Sequence, residues 1–280
     1  MKMRSLCLML MCCFTLPACA QDKPSTAGPN VQPSTAPMAM PGLGRERRVQ
    51  VYLPPGYATS NKRYPVLYMH DGQNLFDDRT SFAGEWGVDE SLDKLAKEKG
   101  LEVIVVGIEN GQDKRINELK PWDHPEHGKG EADQYLRFIV EVVKPWADKQ
   151  YRTLPDRAHT GIMGSSLGGL TSWYAGFKYP QVFGRLGVFS PSYWIAPQAY
   201  ELEPTVRLPR DTRMFELTGG KEGDVKAGDK TVANSERMEA MMRHDQPNLR
   251  LRAVLDPEGQ HNEKFWRAHF PAAVAYLFGK

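Results

Sequence analysis

The chain has 280 residues, 41% of them hydrophobic, and its 36 basic and 34 acidic side chains leave a net charge of +2. Charges of both signs are interspersed, which excludes a nucleic-acid surface built on a basic stripe. All four cysteines, Cys7, Cys12, Cys13 and Cys19, lie before Ala20, so the rest of the chain has no disulfide, thiolate metal site or cysteine nucleophile.

The first element is an export signal. Lys2 and Arg4 precede an apolar run from Leu6 to Leu16, which is far shorter than the ~20 apolar residues of a membrane span. Residues 1–20 admit two processing readings. Leu16-Pro17-Ala18-Cys19 resembles a bacterial lipobox, which would make Cys19 the lipid-bearing N-terminus. Ala18-Cys19-Ala20 also fits ordinary cleavage after Ala20. Both readings place the mature protein outside the cytoplasm, in a periplasm or on an outer membrane. Residues 21–41, "QDKPSTAGPNVQPSTAPMAMP", hold almost no large apolar side chains and read as a disordered tether. Residues 42–280 are then one domain.

Within that domain "RRVQVYL" (Arg47–Leu53) alternates polar and apolar and is stopped by two prolines, as an edge strand would be. "YPVLYMHDG" reads as a more buried strand. Val88, Leu92, Leu95 and Ala96 recur at helical spacing up to Gly100. "LEVIVVGI" (Leu101–Ile108) is continuously apolar, as in a strand covered on both faces. Tyr135 to Trp146 carry one apolar helical face. There follow a strand at "HTGIMGS", a helix at Leu167–Tyr179, strands at "GRLGVFS" and "RMFELTGG", a helix at Thr231–Arg243, a strand at "LRLRAVLD" and a last helix at Glu263–Leu277. This alternation predicts an α/β fold with a mostly parallel central sheet and helices on both faces.

Chemistry is suggested by Gly164-Ser165-Ser166-Leu167-Gly168, a G-x-S-x-G pattern between a strand and a helix. A serine there stands at the carboxyl edge of the sheet, where such folds bind ligands, and faces the N–H groups of the next helix. Ser166 is therefore the candidate nucleophile. A hydroxyl needs a base, and the base needs an orienting acid. His244, His261 and His269 follow Ser166. His261, in the polar loop "DPEGQHNEKFW", is the expected base, whereas His244 ends one helix and His269 lies inside another. For the acid, Glu222 follows its strand by a G-x-x-E turn; Asp224 is the alternative, with Asp256 behind both. The backbone N–H groups of Leu167 and Gln73 are the expected oxyanion donors. No cofactor is called for. Asp123, His124, Glu126 and His127 cluster in "WDHPEHGKGE", but their spacing matches no metal motif, and no metal site is expected.

The segments "VYLPPGY", "YPVLYMHDGQNLFD", "EWGVDE", "RINELKPW", "GSSLGGL", "FSPSYW", "GGKEG" and "GQHNEKFW" occur in that order from Val51 to Trp266. Together they resemble the putative-esterase family of α/β-hydrolases, which includes esterase D-like, enterochelin esterase-like, feruloyl and acetyl-xylan esterases and mycolyltransferases. The resemblance spans Arg45 to Lys280 and implies the α/β-hydrolase fold and a serine hydrolase using Ser166, an acid and His261 on a small-molecule or carbohydrate ester. The glutamate departs from the aspartate of many relatives. By family position, Arg115 or Glu118 of "RINELKPW" contacts substrate or forms a structural ion pair, and Trp86 and Trp122 line the pocket entrance. Three functions are compatible with this pattern: an exported esterase, an acyltransferase with the same triad, and a binding protein that has lost turnover. The presence of nucleophile, base and acid speaks against the last.

Overall fold

The computed structural model describes residues 23–223 and 230–279. The signal, Cys19 and Asp224 lie outside the described residues.

The strands are β1 Met38–Met40, β2 Arg45–Arg47, β3 Val49–Tyr52, β4 Val66–Met69, β5 Ile104–Ile108, β6 Thr160–Ser165, β7 Arg185–Phe189, β8 Arg213–Gly219 and β9 Arg250–Asp256. The helices are α1 Val88–Lys99, α2 Arg115–Glu118, α3 Ala132–Phe138, α4 Lys144–Gln150, α5 Leu167–Lys178, α6 Ala199–Leu202, α7 Thr231–Asp245 and α8 Glu263–Phe278. A π-helical turn at Ile139–Val143 joins α3 to α4.

Seven strands form the main sheet in the order β3-β5-β4-β6-β7-β8-β9. Only β3 runs antiparallel to its neighbour, β5. Alternation along the strands divides the core into two layers. Val66 and Tyr68 of β4 join Tyr135, Leu136, Trp173 and Met238 on the face covered by α3, α5 and α7. Leu67 and Met69 join Leu92, Leu95, Phe270 and Val274 on the face covered by α1 and α8. All five residues of β5 are buried, as expected of a strand covered on both sides. Each large aliphatic side chain so buried contributes about 1.5–3 kcal/mol. The result is the α/β-hydrolase fold.

The segment read as a tether differs from expectation from residue 23 onward. Gln32 and Thr35 donate backbone N–H groups to Val51 and Val49 at 2.7 and 2.9 Å, and Met38–Met40 pairs with Arg45–Arg47 as a hairpin. Ser25, Thr26 and Gly28 donate to Asp77, Glu85 and Asp89. Few large apolar side chains are available to this segment. This segment is held instead by hydrogen bonds to a preformed edge strand and to nearly buried carboxylates, which also protects the edge of β3 from pairing with another chain.

Candidate active site

Strand β6 passes directly into α5, and Ser166 is the residue between them, with φ 59° and ψ −123°. Its N–H donates to Phe189 O at 2.9 Å, and its carbonyl accepts from Leu170 N at 3.0 Å. The turn closes only because its neighbours are small. A Cβ on Gly164 would lie 2.7 Å from the His70 ring, and one on Gly169 would lie 2.4 Å from Phe189 O. A left-handed non-glycine residue costs ~1–3 kcal/mol unless its surroundings fix it, and here strand and helix both do.

Ser166 borders a cleft of about 670 Å³ at the carboxyl edge of the sheet. His261 borders the same cleft from the loop between β9 and α8. Its Nδ1 lies 3.1 Å from Glu222 Oε2, and its ring stands edge-on to Trp266 at 5.1 Å. The Glu222 side chain is only 1% exposed. Its other oxygen, Oε1, accepts from Gly219 N at 2.8 Å and from Ser190 Oγ at 2.5 Å. An ionised Glu222 makes His261 Nδ1 the donor and leaves Nε2 as the basic nitrogen. No hydrogen bond joins Ser166 to His261 among the described residues; Ser166 Oγ lies 3.3 Å from Ser192 Oγ, and loose geometry of this kind is common before substrate binds.

Gln73 sits on the turn Gly72–Asn74 just after β4, on the wall of the cleft. Leu167 opens α5, so its N–H lies in the unpaired first turn. Arg115 and Trp86 also border the cleft. The Arg115 guanidinium is committed to Asp71 through Nε–Oδ1 at 2.6 Å and Nη2–Oδ2 at 2.8 Å, and Asn110 donates to the same carboxylate. Burial alone would raise the Asp71 pKa, but Arg115 and these hydrogen bonds hold it below the usual carboxylate value. Trp86 is buried against Phe189, Trp266 and Phe270. Beneath the elbow, burial lowers the His70 pKa to about 4, so the imidazole is neutral there, with Nδ1 2.8 Å from the Tyr135 hydroxyl.

Trp122 departs from expectation, and Glu118 takes the ion-pair alternative, off the cleft wall. Glu118 is 1% exposed and accepts from Arg45 at 3.0 Å and Arg47 at 2.6 Å, because the β1–β2 hairpin brings both arginines over α2. Trp122 also lies off the cleft and packs against Tyr174 at 5.2 Å. Its loop is tied by Lys120 Nζ, which donates to the carbonyls of His127 and Gly128. Asp123 accepts from Gly130 N at 3.0 Å, and His124 accepts from Glu126 N at 3.2 Å.

Sequence reasoning missed Ser190, Ser192 and Trp266 as parts of the site. The first two lie in "FSPSYW", a segment whose chemistry the sequence left unassigned.

The α/β-hydrolase fold and a cleft bordered by both Ser166 and His261 point to the class of serine-type esterases. The family described as Putative esterase matches residues 41–277, and the chain belongs to it and is a carboxylic ester hydrolase. It is 29% identical over 249 residues to the Uncharacterized protein YbbA of Bacillus subtilis (strain 168), covering 84% of this chain and 93% of that one. It is 26% identical over 151 residues to an endo-1,4-beta-xylanase/feruloyl esterase of Xylanibacter ruminicola, covering 52% of this chain and 20% of that one. The BES protein from Bacillus cereus has a similar structure, with a TM-score of 0.72 at 19% identity over 91% of this chain and 97% of that one.

Proposed function

We propose that the protein is an exported serine carboxylic-ester hydrolase that works through Ser166, His261 and Glu222 and an acyl-enzyme intermediate. The observation that carries this reading is the 3.1 Å contact between His261 and buried Glu222 on the cleft that Ser166 enters from its strained turn. In the forward step Ser166 Oγ attacks the ester carbonyl and its proton passes to His261 Nε2. Glu222 stabilises the resulting imidazolium, and the N–H groups of Leu167 and Gln73 receive the oxyanion. The imidazolium then protonates the departing alcohol, leaving an acyl group on Ser166. Water, deprotonated by His261, attacks this acyl carbon and releases the acid and the free serine.

The cleft wall combines Gln73, Thr80, Asn110 and Gln112 with the aromatic Trp86 and Trp266. Such a lining suits a small-molecule or carbohydrate ester, and one relative is named as a feruloyl esterase. The N-terminal signal supports export, with lipid attachment at Cys19.

Labelling, product and localisation experiments test these proposals. An organophosphonate probe should label Ser166 and not Ser165, and Ser166→Ala should fold but lack hydrolysis of chromogenic, feruloyl and acetyl-sugar esters; full activity in that variant removes the nucleophile assignment. With excess acceptor alcohol present, release of the free acid supports hydrolysis, whereas a new ester as main product makes the protein an acyltransferase. Cys19→Ser should move the protein from the membrane fraction to the soluble one. An unmodified N-terminus at Gln21 in the wild type would remove the lipid anchor.

A further inference from the structure

The segment Phe189–Ser192 connects the two halves of the site. Phe189 O accepts from Ser166 N, and Ser192 N donates back to Ser166 O at 3.2 Å. Between them, Ser190 N donates to Leu217 O of β8 at 2.6 Å, and Ser190 Oγ reaches Glu222 Oε1 at 2.5 Å. The same Oγ accepts from Trp266 Nε1 at 2.7 Å. Because the indole N–H can only donate, the Ser190 hydroxyl proton is directed at the carboxylate. Trp266 also carries the ring against which His261 stands.

Ser190 has φ 45° and precedes Pro191. A residue before proline is pushed toward extended backbone, and a non-glycine residue in the left-handed region is strained. Glycine would adopt φ 45° more readily. The hydroxyl is therefore held at an unfavourable backbone position, fully buried, and its contacts are the triad acid and the indole beside the triad base.

We infer that Ser190 is a positioning residue for the Glu222–His261 pair: its hydroxyl, oriented by Trp266, fixes the carboxylate so that Oε2 faces His261 Nδ1. This inference rests on the triad proposed above. Ser190 and Gly219 donate to Oε1 and so assign the two oxygens different tasks. Without the hydroxyl, Gly219 N–H alone holds Oε1, and the carboxylate is less firmly oriented.

The test compares Ser190→Gly, Ser190→Ala and Trp266→Phe with Glu222→Gln and Ser166→Ala as references. Ser190→Gly relieves the backbone strain while deleting the hydroxyl, which separates positioning from scaffolding. It should keep the wild-type circular dichroism and melting temperature within a few degrees, lower kcat by about tenfold to a hundredfold, leave KM within about twofold, and alter the kcat–pH profile. The downfield proton resonance of His261 Nδ1 should shift or broaden in parallel. Trp266→Phe, which keeps the hydroxyl but removes its orienting donor, should show a smaller loss of kcat with the same direction of change in that resonance. Wild-type kcat and pH profile in folded Ser190→Gly or Ser190→Ala overturns the inference, as does an unfolded Ser190→Gly, which would make the serine a structural residue. If Glu222→Gln and Ser166→Ala are themselves fully active, the triad reading fails; if they are crippled while Ser190→Gly is not, this inference alone fails.

Discussion

Glu222→Gln tests the acid with little change of shape, and the structure dictates how the new amide sits. Two donors, Gly219 N–H and the Ser190 hydroxyl, converge on the Oε1 position at 2.8 and 2.5 Å. A glutamine NH₂ there would put donor against donor in a buried site, at a cost of about 1–3 kcal/mol for each group left unpaired. The amide oxygen therefore occupies the Oε1 position, and the NH₂ replaces Oε2, 3.1 Å from His261 Nδ1 in the parent. Nδ1 must then accept, which moves the imidazole proton to Nε2, the nitrogen that should take the proton from Ser166. The wrong tautomer in a related triad lowers kcat by about 10⁴, equivalent to roughly 5 kcal/mol of lost transition-state stabilisation. The expected result is a fall in kcat of about 10³–10⁴ with KM nearly unchanged, read by stopped assays on one chromogenic ester with circular dichroism as the control for folding. Asp224→Asn, measured beside it, should change kcat by less than about tenfold, or about 1.4 kcal/mol. A Glu222→Gln enzyme within tenfold of wild type would refute the argument, and a crippled Asp224→Asn would transfer the role.

Other side chains give outcomes away from the triad. Glu118→Gln should lower stability by about 3 kcal/mol, because it removes the buried charge that Arg45 and Arg47 share, yet leave kcat/KM within about twofold at 25 °C; a tenfold rise in KM at unchanged melting temperature would return Glu118 to the substrate site. Arg115→Ala should do the reverse of an innocuous trimming, since it strands the Asp71 carboxylate in the cleft wall; loss of both kcat/KM and stability is expected, and unchanged values in both would show that the pair is dispensable. Glu216 is fully buried on β8, and burial raises its pKa from 4.5 to about 8. The folded protein thus keeps this proton while the unfolded chain loses it between those values. Stability from this group is intact below pH 4.5 and declines as the pH rises toward 8, by about 3 kcal/mol at pH 7. Glu216→Gln should flatten that part of the melting-temperature profile, and an unchanged profile would mean that the carboxyl is not the titrating group.

The main lines of this architecture were readable because they depend on local pattern. The continuous apolar run at Ile104–Ile108, the helical face from Tyr135 to Val143 and the glycines around Ser166 each specify their element within a short window. The position of His261 was readable for a different reason: it is the late histidine in a glycine-containing loop, and that loop brings it to the cleft beside Glu222. What the sequence could not convey was pairing at a distance. Glu118 was read by its neighbours in "RINELKPW", but its environment is set by Arg45 and Arg47, which lie 73 and 71 residues away. Residues 23–41 were read as unable to fold by their composition, but their hydrogen bonds depend on an edge strand and on carboxylates that exist only once the domain has formed. Ser190 looked like one more small polar residue before a proline, because nothing local reveals that Glu222 will lie against it.

Backbone strain gives the site a signature that no sequence pattern carries. Among the described residues, the non-glycine positions with positive φ are Asp71, Gln112, Ser166 and Ser190, at 55°, 54°, 59° and 45°. The first three border the cleft, and the fourth bonds the carboxylate behind His261. Each such residue costs of order 1–3 kcal/mol, so four of them amount to a large part of the net stability of an ordinary domain. Their confinement to the carboxyl edge follows from how the parallel strands end there. The residue just beyond a strand end is held in its turn by a hydrogen bond to the next strand, Ser166 N–H to Phe189 O and Ser190 N–H to Leu217 O. A sheet of seven strands with both faces covered is stiff enough to sustain that strain. The same stiffness fixes the serine, the acid and the cleft-wall carboxylate relative to one another before any substrate arrives, which is the condition under which prearranged hydrogen bonds stabilise a transition state without reorganising.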